Sequence, residues 1–458
     1  MARPVINMGL SYLSWEPFLY LAIAFTILGI GIFSIYQKSA LPTPVEAGED
    51  LRRAQETVQR RPRRDVPLNL IPICELRDIV REEELGPVVA SVQPSWPGPS
   101  IGLIIHSLRL WGAHAAFAQK NTLYPDQNGL ITYPTPLPLE VLLDHNVFRN
   151  VFQFHTLIPP LLTEGRMGVA VTTKNDPTWN AYQGQFHADD ILQVLGEIGI
   201  PRSYPVRPKT SSNRRFTVDD LINESLWSYS QMQEPDFTAG AYARWLRGPA
   251  TWRNRFNELC SLDLLADQLV KRPFGRGACL GTHLPYAMVS LLRAHEVEPL
   301  ISDNTAARLT VRLRELSTVL TRNQQADGSW PGRWCDTVPD DREWRSFYLN
   351  APLNAAILTT GHHLEWIALA LAEVRPPREV IVRAARFLLR TIPALPKPFF
   401  ADMNMYPAGT HAVRALCLLC GVDPWEVYQR FSHSSPNLGN NRPASWYEAP
   451  KNLGPESP

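Results

Sequence analysis

Three times in this chain a Gly-x-His triplet introduces a strongly apolar run: Gly281-Thr282-His283, Gly361-His362-His363 and Gly409-Thr410-His411. The runs end near Pro299, Pro376 and Pro424, where amphipathic segments begin. A looser fourth copy is Gly184-Gln185-Phe186-His187, followed by Ile191, Leu192, Leu195 and Pro201. The segment after Gly361 is apolar almost all round, with Leu364, Ile367, Ala368 and Leu371 on one side and Trp366 and Leu369 on others, so it reads as a buried helix. Between Glu379 and Thr391 an arginine stripe (Arg383, Arg386, Arg390) faces away from Val380, Ala384, Phe387 and Leu388, the pattern of an outer helix with one wet face. A buried helix followed by an amphipathic one, repeated, predicts an all-α fold, an α/α toroid of concentric inner and outer helices.

The stretch Gln324-Gln325-Ala326-Asp327-Gly328-Ser329-Trp330-Pro331-Gly332-Arg333-Trp334 reads as a turn after a helix carrying Leu309, Leu313, Leu316 and Leu320. Leu320 to Trp334 resembles the Gln-Trp repeat of the squalene cyclase and prenyltransferase superfamily. Gly361-His-His-Leu-Glu-Trp366 resembles the Gly-His-x-x-Glu-Trp segment of the N-acylglucosamine 2-epimerase family. Both families are α/α toroids, so the resemblance implies that architecture, while the two chemistries differ.

Ahead of this domain, Phe18 to Tyr36 carry no charge, and Trp15, Tyr20 and Tyr36 sit near the ends. Such a run, at a helical rise of about 1.5 Å per residue, nearly crosses a hydrocarbon core of roughly 30 Å. The expectation is a single-pass anchor over residues 1–38, touching the bilayer through residues 18–36. Lys38, Arg52 and Arg53 follow the span whereas only Arg3 precedes it, which leans the C-terminal domain towards the cytoplasm. Residues 39–65, rich in Pro, Glu and Arg, read as a flexible linker. The toroid is expected over 66–435 and a loose Ser/Pro/Asn/Gly tail over 436–458. Inside the domain, Gly165 to Thr173 is the one convincing strand and a helix is expected over roughly Thr251 to Val270.

The 458 residues carry a formal net charge of +1, which gives no global electrostatic case for a nucleic-acid partner. Forty-one prolines favour many short helices broken by ordered loops. Cys417 and Cys420 form a C-x-x-C inside an apolar run, where buried structural thiols are expected.

A residue at the start of an inner helix would point to the mouth of a toroid. His187, His283, His362 and His411 are therefore expected around one pocket with Asp190 and Glu365, as acid/base groups whose imidazoles titrate near neutrality. The resemblance to the epimerases implies a catalytic role for His362 and Glu365. A cyclase would need an Asp-x-Asp-Asp motif, which His187-Ala-Asp-Asp190 and Val338-Pro-Asp-Asp341 do not match. A prenyltransferase-type zinc would need Cys335 and Asp336 to join His363 or His411, and the family's Asp-x-Cys order is absent; no metal or cofactor is expected. Trp330, Trp334, Trp344, Trp366 and Tyr348 are available as stacking faces. The expected function is a membrane-anchored enzyme acting on a saccharide or similar polyol. The alternatives are a membrane-tethered binding or scaffold protein for a small molecule or glycan, and a terpenoid- or prenyl-processing enzyme.

Overall fold

The computed structural model describes residues 44–92, 100–113, 137–152, 159–173, 184–249, 251–338, 351–396 and 399–434. The chain divides into two units between Arg53 and Ala54, and the account below concerns the second. Its helices begin with α1 (Pro44–Arg60, the second unit taking it up at Ala54), α2 (Glu82–Ser91), α3 (Ile101–Trp111), α4 (Pro138–Leu143) and α5 (His145–Val151). Next come α6 (Asp190–Glu197), α7 (Val218–Ser228), α8 (Pro235–Trp245), α9 (Leu262–Lys271) and α10 (Ala278–Gly281). The last are α11 (His283–Val297), α12 (Asp303–Asn323), α13 (Pro352–Leu369), α14 (Arg378–Ala394), α15 (Tyr406–Cys420) and α16 (Pro424–Ser434).

Buried helices and amphipathic ones divide the work as the periodicity suggests. Every residue of α8 is buried, as is all of α13 from Ile357 to Leu369. By contrast α14 buries only Val380, Ile381, Ala384 and their row, and its arginines reach outward to neighbours. Arg383 donates to Gln324 Oε1 (2.9 Å), Arg386 to Glu84 Oε1 (2.9 Å) and Arg390 to the Asp327 carbonyl (3.1 Å). Helix α13 lies along α15, α8 lies against α6 and α11, and α3 lies against α15 and α6. The α13–α15 approach depends on Gly361, where a Cβ would sit 2.7 Å from the Ala412 backbone nitrogen.

The membrane-anchored α/α toroid needs correcting. Among the described residues the fold is mostly helical, but no helix is long and apolar enough to cross a membrane, and a double ring is not shown. The most apolar of the described helices, such as α13, are enclosed by protein, and α13 buries Asn354, Thr359, His362, His363 and Glu365 as well. The same finding corrects the single-pass membrane location; the stretch 18–36, on which it and the bilayer contact rested, lies outside the described residues.

From Ala54 to Arg64, the part of the expected linker that lies in the second unit is packed into that unit. Ala54 and Val58 of α1 are fully buried, and Arg61 donates to the carbonyls of Arg247 (2.6 Å) and Gly248 (3.0 Å). Arg63 pairs with Asp219 at 2.9 Å and Arg64 with Glu298 at 3.2 Å. Among the described residues, three small antiparallel hairpins accompany the helices. The first pairs β1 (Leu162–Glu164) with β2 (Val169–Val171), so the strand expected over 165–173 is shorter and begins after the turn. The second pairs β3 (Pro205–Val206) with β4 (Phe216–Thr217). The third, β5 (Trp252–Arg253) with β6 (Leu259–Cys260), replaces the first half of the helix expected over 251–270. Asn254 explains it: its side-chain oxygen accepts the N–H groups of Phe256 (3.0 Å) and Glu258 (2.9 Å), a local turn that outcompetes the helix.

Candidate functional site

Four buried helices each carry a histidine with a polar residue three positions later. They are His106 and Arg109 on α3, His283 and Tyr286 on α11, His362 and Glu365 on α13, and His411 and Arg414 on α15. Residues three apart lie one above the other on a helix face. The pairs therefore stack as two tiers.

The first tier is a run of rings. His362 and His411 have centroids 3.5 Å apart, and His106 meets His411 at 4.8 Å. His283 lies 4.6 Å from His362 and 5.9 Å from His411. Phe237 continues the run, 4.4 Å from His283 and stacked at 4.5 Å on His187. His187 Nδ1 is 2.6 Å from Glu234 Oε2, and Glu234 Oε1 accepts the Ala278 N–H at 2.9 Å, which joins His187 to α10.

The second tier is ionic. Arg109 Nε donates to Glu197 Oε2 at 2.8 Å, and Arg414 spans Glu365 Oε1 (2.9 Å) and Glu197 Oε2 (3.2 Å). Tyr286 Oη accepts from Arg414 (3.3 Å) and Arg244 (3.1 Å). Glu365 links the tiers, because its Oε2 is also 2.9 Å from His411 Nδ1 and 3.7 Å from His362 Nδ1.

Electrostatics fixes the protonation. Burial opposes the Glu365 anion, but His411, Arg109 and Arg414 outweigh it and hold the carboxyl well below its usual range. Glu197 falls to about 2, because Arg109, Arg414 and Arg244 likewise outweigh burial. Burial pushes His362 and His411 down to about 3 and His283 well below its ordinary value, so the imidazoles are neutral at pH 7. An ionised carboxylate can only accept, so His411 donates from Nδ1 and keeps a lone pair on Nε2. The Nε2 atoms of His362 and His411 are buried and have no hydrogen-bond partner among the described residues.

The helix-start argument for these residues is correct only for His283. His362 sits in the middle of α13 and His411 in the first half of α15, since Pro352 and Pro407 begin those helices earlier. Even so, His283, His362, His411 and Glu365 are brought together, with His187 joined through Phe237. Asp190 begins α6, and burial raises it to about 6 against the opposing pull of His187 and Arg109. Sequence reasoning missed His106, Arg109, Glu197, Tyr286 and Arg414. The signal that finds most of them is the recurrent spacing of three between a histidine and a polar residue inside apolar runs. Trp330, Trp334 and Trp366 are fully buried and offer no stacking face. Trp366 donates to His363 Nδ1 at 3.1 Å, and Trp330 and Trp334 pack on the same ring at 5.4 and 4.5 Å. That leaves His363 a core residue; Trp344 and Tyr348 lie outside the described residues.

Two described groups have the composition of a metal site: Cys279 with His283 and His362, and His362 with Glu365 and His411. In each, one ligand atom per residue lies within 4.8 Å of the others. The set containing Cys335 and Asp336 is not among them; Cys335 instead shares a hydrogen bond with Thr337. All six cysteines are free, with Cys417 and Cys420 buried in α15. His106, His187 and Cys279 are partly exposed, while His283, His362 and His411 are buried. Comparison with protein-family models, with curated proteins and with solved structures found no match for this chain.

Proposed function

We propose that the chain is an enzyme that moves protons on a neutral polyol of the saccharide class. The observation that carries this is the 2.9 Å contact between His411 Nδ1 and Glu365 Oε2. It orients a neutral imidazole whose other nitrogen is bare, the arrangement of a general base held by a carboxylate. Glu365 acts as the positioning residue, and Asp190, raised to about 6, is a carboxyl able to hold a proton close to neutrality. A neutral substrate fits because Arg109 and Arg414 are already compensated by Glu197 and Glu365.

The test is to incubate the full chain with a panel of mono- and oligosaccharides and one isoprenyl diphosphate in D2O. NMR then reads solvent deuterium at carbon and any cleavage product. A sugar should turn over, and His411→Ala should lower that turnover by about 10²-fold or more. Turnover of the diphosphate alone, wild-type rates in His411→Ala, or saturable sugar binding without turnover would each overturn the reading.

A further inference from the structure

We infer that Cys279, His283 and His362 form a binding site for a zinc-class divalent cation at the edge of the histidine tier. The inference rests on the acid/base reading only in placing the ion beside His411; the ligand set stands on its own geometry.

Thiolate with two neutral imidazoles is a donor set that suits zinc and its d-block neighbours, and three protein ligands leave a fourth position open. The ligand atoms lie within 4.8 Å of one another. Tetrahedral bonds of roughly 2.0–2.3 Å would bring them to roughly 3.4–3.8 Å apart, a contraction that side-chain rotation supplies. His362 is buried, and its Nε2 has no hydrogen-bond partner among the described residues, so a nitrogen lone pair is available where water is scarce. Its Nδ1 faces Glu365 at 3.7 Å, the carboxylate behind a histidine that recurs in metal sites.

Cys279 reaches this position by an unusual path. Cys279 (φ 48°, ψ 51°) and Leu280 (φ 64°, ψ 30°) both adopt left-handed backbone, and Gly281 follows at φ 77°. Two such non-glycine residues in succession are strained. They are held from outside: Trp334 Nε1 donates to the Leu280 carbonyl at 2.9 Å, and Ala278 N–H to Glu234.

The other candidate set is the weaker one. In His362–Glu365–His411 the carboxylate already receives His411 and Arg414, with Arg109 at 3.6 Å, and a divalent ion there would sit against two guanidiniums. On binding, the Cys279 thiol gives its proton to solvent and the sulfur lone pair to the metal.

The test is a Co2+ titration of the chelator-treated full chain, followed by absorption spectroscopy, with Zn2+ as competitor. The expected result is one cobalt per chain, tetrahedral d–d bands and a thiolate-to-cobalt charge-transfer band. Cys279→Ser should abolish that band and weaken binding by roughly 100-fold or more, since loss of an outer-shell partner alone costs roughly 10–100-fold. His283→Gln should weaken binding similarly, and circular dichroism checks that each variant is folded. His411→Ala should keep the charge-transfer band. Substoichiometric cobalt, or a spectrum unchanged by Cys279→Ser and His283→Gln, would overturn the site. Stoichiometric cobalt without sugar turnover would sink the acid/base reading alone.

Discussion

At the scale of single residues, Glu365 is the one on which the most depends. It is 1 % exposed and faces two guanidiniums and two imidazoles at once. Glu365→Gln leaves Arg109 and Arg414 short of a buried counter-charge, and removing one member of a buried ion network costs about 3–5 kcal/mol. Urea unfolding should show that loss, whereas a change below about 1 kcal/mol would mean the arginines find water instead. Glu365 and its histidines were legible in the sequence because Gly-His-x-x-Glu-Trp stands out within an apolar run. Arg109 and Arg414 were not, because a lone arginine in an apolar helix looks like a solvated end, and its acceptors lie on other helices. Glu197 was hidden for the same reason.

At the scale of helices, the glycines of the Gly-x-His triplets do a different job from the one their position suggests. Gly361 marks where α13 and α15 approach, with the Ala412 nitrogen 2.7 Å from a would-be Cβ that no flexible side chain can yield to. Gly361→Ala should separate the two helices and cost about 1–3 kcal/mol, read as a lower urea midpoint with an unchanged slope. Wild-type stability in that variant would show that the helices slide freely. The buried/amphipathic alternation was readable because it lives in local periodicity. Helix starts were not, since the Gly-x-His triplets were taken as the starts, whereas the helices begin earlier with a proline in the first turn, Pro352 and Pro407. The hairpin at 252–260 escaped because Asn254 decides it through its own side chain, not through a pattern.

At the scale of the whole molecule, neutral buried histidines make folding depend on acidity. His362 and His411 fall from 6.5 to about 3, and burial lowers His283 and His363 well below 6.5. Their folded values are depressed, so their contribution is complete above pH 6.5 and is lost as the pH falls towards 3. Asp190 and Asp236 oppose this: burial raises them to about 6 and about 7, so their contribution is present below 3.8 and lost as the pH rises. The histidines are more numerous, and the thermal midpoint in chelator should drop steeply on acidification below 6.5. Asp236→Asn should steepen that drop by removing part of the opposition. A flat profile from pH 7 to 4 would mean that the histidines are solvated.

The two tiers also bear on how such a protein could change over generations. Within the lower tier Arg109 and Arg414 are matched by Glu197 and Glu365. One helical turn above, His106, His283, His362 and His411 occupy positions contributed by four separate helices. His362 and His411 face Glu365 directly, so an exchange there reaches the ions beneath. His106 and His283 could each be exchanged by a single codon and a new reaction tried with those Glu365 contacts kept.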